Sequence, residues 1–431
     1  MTSRRNFLMG SSALLAAGAL SPRVFAQANP LRLYWWGGQT RADRTMKVAE
    51  LWAKAKGAPV PTGEFGSFPD HWPKLATMVA GGNAPDVYQM DYRFIVEYAI
   101  RGAMQPLDEY VASGVLKLDD FDKDQIEGGK VDGKLYGISL GANSVAAIYS
   151  QTAFEEVGIA PPKLGWSYEE VPEFGEAFNS KNIRGGMKFL SDGSSSEPAL
   201  DNWIRQRGKP LYTPEGKLGP NADDMTEWFA MWNGFREKGY IPSAEDAALD
   251  VDTPETSSLA TNKAAIMFGN SNQLVVHQSV NKDKLGMTNY PRINPTTGGG
   301  HYRKPSQFWS MASTSAQKEA AADFISFFVN DIEAGKILQV ERGIPCSAAV
   351  REAVAPLLDE QNQVALNFVA NLGDLLGPLP ASPPAAAGEI DQSLLDVLAD
   401  EVAFGQRSAE DAGKYFVEEA TAILERAAKP A

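Results

Sequence analysis

Indole, carboxylate and amide side chains stand in this sequence just where apolar runs stop. Trp35 and Trp36 are followed by two glycines and then by Gln39 and Arg41; His71 and Trp72 precede an amphipathic stretch; Asp91 and Tyr92 follow Val87-Tyr88-Gln89-Met90. Flat rings beside polar groups can hold a ligand by stacking and hydrogen bonding. An indole at a strand end also packs into a core about as often as not, so both readings stay open for Trp35 and Trp36. Covalent and metal chemistry have less support. There is no H-E-x-x-H, and the three histidines, His71, His277 and His301, are scattered. The single cysteine, Cys346, allows neither an internal disulfide nor a thiolate cage, so no metal and no cofactor is expected.

The elements that must position these residues follow from the apolar spacing. Leu31, Leu33, Tyr34 and Trp35 read as a strand and Gly37-Gly38 as a tight turn. Val48, Leu51, Trp52 and Ala55 then form one face of a helix that Gly57 can end, with Thr40 and Asp43 at capping-box spacing at its start. A strand feeding a helix through glycines is half of a βαβ unit, whose ligands bind outside the strand's carboxyl end. The pattern repeats. A strand is expected at 60–65, a helix from an N-cap at Asp70 through Trp72, Leu75, Ala76 and Val79, and a strand at 87–90, which together imply a mostly parallel sheet with covered faces. Asp86, after Pro85, reads as a structural acceptor at the strand entry. Farther on, Val131-Asp132-Gly133-Lys134 is a hairpin turn, and Ser167 with Glu170 and Ser408 with Asp411 open helices.

With 431 residues, 44% hydrophobic and 22% charged, the chain has an ordinary globular composition and length enough for two large lobes. Its formal net charge of −14 argues against nucleic acid and anionic membrane as partners. Arg4-Arg5 ahead of the short apolar run 8–20, with small residues at 24–28, looks like a twin-arginine export signal over residues 1–28. The run is too short and too rich in glycine and alanine to make a good membrane span. A soluble protein, released into the periplasm after the signal is removed, is the expectation.

Several segments, in order, resemble the extracellular sugar-binding proteins of ABC importers, the group that includes maltose-binding protein. They are Ala80-Gly81-Gly82-Asn83-Ala84-Pro85-Asp86, residues 102–107, residues 131–137 with Tyr149 beyond, residues 158–162 before Trp166, Asn262-Lys263-Ala264-Ala265-Ile266-Met267, and Arg342-Gly343-Ile344-Pro345. The likeness covers nearly the whole mature chain. The opening WWGGQTR with Asp70-His71-Trp72 looks like the branch that takes up plant-derived oligosaccharides, oligogalacturonides among them. Arg41 is the one basic residue near that tip, which departs from the branch pattern.

The resemblance implies an α/β, two-lobed periplasmic-binding-protein (Venus flytrap) fold with lobes joined by crossover strands. Lobe one would hold residues 29–139 plus 308–345, and lobe two residues 140–307 plus 346–431. A monomer of this kind captures a mono- or oligosaccharide, neutral or acidic, in the inter-lobe cleft and delivers it to the membrane permease subunits of an ABC transporter, without catalysis. Ligand contacts would come from Trp35, Trp36, Gln39, Arg41, His71, Trp72, Asp91 and Tyr92 in lobe one and from Asn143 and Ser144 at the crossover. Trp203, Asn270, Asn272, Trp309 and Arg342 would complete the site, although Arg342 could equally cap a helix end. These residue types suit a pyranose, which offers C–H faces to rings and hydroxyls to bidentate polar groups. One stacked indole covering about 100 Å² contributes about 2.5 kcal/mol. Two rivals remain: an exported carbohydrate-active enzyme, and the same fold holding a non-sugar solute such as a polyamine.

Overall fold

A computed structural model describes residues 29–250, 253–381, 383–384 and 386–428. The export-signal reading at 1–28 lies outside the described residues. The first sheet runs β2 (Thr62–Gly66), β1 (Arg32–Trp36), β3 (Val87–Met90), then Phe308–Met311 and Ile138–Ser139. The first three strands are parallel and the returning Phe308–Met311 is antiparallel to both neighbours, pairing Phe308 with Met90 and Trp309 with Gln89. Asp86 is structural as expected, accepting from the Arg32 amide (2.9 Å) and the Ser315 hydroxyl (2.5 Å).

Helix α1 (Gln39–Lys56) ends on Gly57 in the left-handed region, but its start differs from the expected capping box. Gly38 is the N-cap with no side-chain cap, and Asp43 instead accepts from Gln39 Nε2 at 2.7 Å. Helix α2 (Phe68–Ala80) likewise begins earlier than expected. Ser67 caps it by accepting from the Asp70 amide, and Asp70 becomes a first-turn acid, favourable at the positive end of the helix dipole.

The second sheet runs Leu285–Thr288, Val145–Ser150, Ala264–Asn270, Lys188–Leu190. Its core is aromatic: Phe154, Trp166, Phe189, Trp203, Trp228 and Trp232 are all buried. The Ser167–Glu170 capping box forms, and Ser408 caps the last helix, Ala409–Ala427, which lies against Ala222–Glu237.

Three segments cross between the sheets. Ala142–Asn143 pairs with Lys304–Pro305, and Ala142 exchanges backbone hydrogen bonds with Ile344 (2.8 and 3.0 Å). The Arg342 carbonyl accepts from Gln307 Nε2 (2.9 Å) and from the Ser306 hydroxyl. Beside the crossings, Asp122 binds both Arg351 (2.6 Å) and Arg303 (3.2 Å), and Arg303 also binds Asp124 (2.7 Å). Cys346 is buried there, 3.4 Å from Ser139 Oγ, and burial pushes its thiol up to about 12. Helix Ala348–Val354 packs on Ile332–Leu338. Among the described residues no helix is long and apolar enough to cross a membrane.

Candidate functional site

Phe308 pairs with Met90 at the carboxyl end of β3, and Val145 pairs with Asn270 at the carboxyl end of Ala264–Asn270. The short crossings therefore bring those ends of the two sheets together, and the residues just beyond them form two walls.

On the first wall Trp36 closes β1. Gly37 follows at φ +143°, a region unfavourable to other residues, and its amide still bonds the Gly66 carbonyl at 3.0 Å. The Trp36 ring meets Phe68 and His71 edge to face, with centroids 5.2 and 5.0 Å away, and tilts on Trp72 at 5.6 Å; Trp72 in turn lies 4.0 Å from Phe94. Phe68 and Trp72 are one helical turn apart on α2, which is why one helix presents both. The Arg93 guanidinium sits 5.0 Å over Phe68 and is held by Asp91 at 2.8 Å. The result is an aromatic surface with a charged rim.

The second wall is the helix Glu197–Gln206, capped by Ser196. Glu197, Asp201 and Arg205 repeat at four-residue spacing and share a face. Arg205 lies 5.0 Å over the Tyr302 ring, bonds the Gly300 carbonyl (3.1 Å) and reaches the Pro378 carbonyl. Burial, with Asp201 and Asp391 close by, pushes the Glu197 carboxyl up to about 7; burial also raises Asp201 to about 6, opposed by Arg205. Tyr302 is held well above its ordinary range by burial and by these carboxylates, and Tyr92 from the first wall adds to the effect. Tyr92 also donates its hydroxyl to the Pro380 carbonyl at 2.7 Å. Nearby, a Cβ on Gly128 would stand 3.2 Å from Leu379. The 375–380 segment thus touches both walls.

Of the residues expected to bind, Trp36, Trp72, Asp91 and Tyr92 come together on the first wall. Others lie elsewhere. Neighbouring residues of a strand face opposite sides of a sheet, so Trp35 turns into the lobe-one core at 1% exposure, edge-on to the fully buried Trp309 at 6.5 Å. Trp203 occupies the core side of its helix, between Trp228 and the Arg207 guanidinium (3.9 Å). His71 is fully buried and stacked on Tyr34 at 4.5 Å; its Nε2–H donates to the Gln89 carbonyl, and burial lowers its pKa to about 4. Arg342 neither caps a helix nor reaches the cleft. Its guanidinium is buried against Thr45, Glu341 and Phe328, and it lines an internal cavity of about 20 Å³.

Arg41 binds Glu341 (2.7 Å) and the Trp36 carbonyl (3.0 Å), whereas Gln39 is exposed and spent on Asp43. Asn143 is part of the crossing ladder, and Ser144 is buried between Ser271 and His301. Asn270 forms a capping box with Gln273, and Asn272 is exposed. Sequence reading passed over Phe68, Phe94, Arg93, Glu197, Asp201, Arg205 and Tyr302. The i, i+4 repeats of Phe68 with Trp72 and of Glu197 with Asp201 were the available signals.

Known proteins share this fold. A solved family 1 extracellular solute-binding protein from Alicyclobacillus acidocaldarius is 28% identical, with a TM-score of 0.81 over 92% of this chain and 100% of that one. A periplasmic oligogalacturonide-binding protein from Yersinia enterocolitica shares the fold at 21% identity, with a TM-score of 0.77 over 93% of this chain and 100% of that one. Among curated sequences, a binding protein of Brucella abortus is 30% identical over 97 residues, 22% of either chain. A maltotriose-binding protein of Pyrococcus abyssi is 28% identical over 119 residues, 27% of this chain and 24% of its own. The chain thus spans less than a quarter of the length of these curated relatives. The family model for bacterial extracellular solute-binding proteins matches residues 47–361. That match covers most of the sequence, and the chain belongs to the bacterial extracellular solute-binding protein family.

Proposed function

We propose that the chain captures a carbohydrate between its two walls and delivers it to the permease subunits of an ABC importer. One observation carries this reading. The Trp36, Phe68, Trp72 and Phe94 surface lies on the wall that carries Tyr92, and Tyr92 acts electrostatically on Tyr302, which stands beside Glu197 and Asp201 on the other wall. Rings suit the C–H faces of a pyranose and carboxylates its hydroxyls. The sugar-binding names of the oligogalacturonide and maltotriose relatives support the same class of ligand.

Lobe one is then 29–139 plus 308–345 and lobe two 140–307 plus 346–431, closing about the three crossings. The protein acts as a monomer in the periplasm, after export through a twin-arginine signal, and it releases its ligand unchanged. A thermal-shift screen across neutral and acidic mono- and oligosaccharides tests the proposal, since a ligand at a hundred times its dissociation constant adds about 2.7 kcal/mol of stability. Melting that responds to an amine or a metal chelate and to no carbohydrate would overturn it.

The raised carboxyls of Glu197 and Asp201 give a second reading some footing, because a glycosidase needs one protonated and one ionised carboxyl near the scissile bond. Labelled oligosaccharide separates the two readings. Stoichiometric retention without product supports capture, and turnover supports hydrolysis.

A further inference from the structure

Resting on the carbohydrate reading, we infer that the cleft selects sugars that carry no carboxylate and turns uronates away. The arginines that would receive a uronate are already engaged by the protein. Arg41 is bound to Glu341 at 2.7 Å and Arg93 to Asp91 at 2.8 Å. Arg303 is bound to Asp124 and Asp122 at 2.7 and 3.2 Å. Arg205 is spent on the Gly300 and Pro378 carbonyls and on the Tyr302 ring. A sugar carboxylate that recruits any of them competes with partners already in place.

Negative groups are in surplus on the second wall. Glu197 is faced by Asp201 from its own helix, Asp391 from the helical segment Asp391–Leu395 and Lys304 from the crossing strand, with Tyr212, Tyr290 and Tyr302 around it. Lys304 and Arg205 against three carboxylates leave the wall with a net negative charge once Glu197 and Asp201 ionise. Hydroxyls of a neutral sugar donate to such oxygens, whereas a uronate meets like charge where solvent is partly excluded. The discrimination therefore has a pH signature. Glu197 and Asp201 hold their protons to about 7 and about 6, while a sugar carboxylate is ionised throughout.

The test is calorimetric titration of the full chain with a panel of neutral oligosaccharides and with digalacturonate, at pH 5 and pH 8. The expected result is a neutral sugar bound at least roughly tenfold more tightly than digalacturonate at pH 8, with a smaller gap at pH 5. In the Glu197→Gln, Asp201→Asn double variant the pH dependence of the gap should disappear, and circular dichroism checks that the variant is folded. Digalacturonate bound as tightly as the best neutral sugar at pH 8 would overturn the inference and leave the carbohydrate reading standing. Binding of no carbohydrate at either pH would overturn both.

Discussion

Two adjacent tryptophans in one strand end up with different tasks, and single substitutions should separate them. Trp35→Ala empties the core site against Trp309, at a cost of about 3–5 kcal/mol by denaturant unfolding. Trp36→Ala, on the wall, should lower carbohydrate affinity by tenfold or more in a titration, because its ring neighbours line the cleft. The titrating residues act in opposition. His71 and His301 take protons in the fold near pH 4 but near 6.5 when unfolded, so falling pH across that window weakens folding. Glu197 does the reverse. It keeps its proton to about 7 in the fold and loses it near 4.5 when unfolded, so stability drains away as pH rises through 4.5 to 7. Glu197→Gln removes the opposing half. Its melting temperature should gain on the wild type progressively from pH 4.5 to 7.5, as read by a pH series of thermal melts; a difference that does not change with pH would contradict this assignment.

At the level of elements, the segment 375–380 ties the walls together through Tyr92 and Arg205, and His301 anchors it. The Gly377 amide bonds the His301 carbonyl at 2.7 Å, and the His301 amide bonds the Leu375 carbonyl at 3.0 Å. Tyr92→Phe deletes one bond between the walls, worth about 0.5–1.5 kcal/mol. It should enlarge the radius of gyration seen by small-angle scattering without ligand, and lower affinity by less than tenfold. This segment also marks where the sequence stopped being legible. Alternation and helical spacing located β1, α1, β3 and the Asp132-Gly133 turn, since each depends on residues close in the chain. The N-caps shifted because several polar residues compete for each helix start, and Ser67 rather than Asp70 prevailed. Which face of a strand or helix meets the cleft depends on the partner sheet. Trp35, Trp203, Trp309 and Arg342 therefore moved to the interior, while Phe68 and Glu197 emerged on the walls.

For the whole molecule, the crossings combine backbone pairing with charge. Asp122 is shared by Arg303 and Arg351, joining the 120s loop to a crossing and to the helix beyond it. Arg303→Met leaves Asp122 and Asp124 short of a partner in a half-buried setting, and a loss of about 1–3 kcal/mol is expected in chemical denaturation. Most of it should return in the Arg303→Met, Asp124→Asn double variant. Finally, the sole thiol, Cys346, is shut inside beside Ser139 and Gln125, and its resistance to ionisation leaves it a poor nucleophile at neutral pH. A maleimide dye should thus ignore the native protein and attach only where a second cysteine is introduced, for instance at exposed Asn272, so the chain can serve as a single-site fluorescent reporter without first removing its own sulfur.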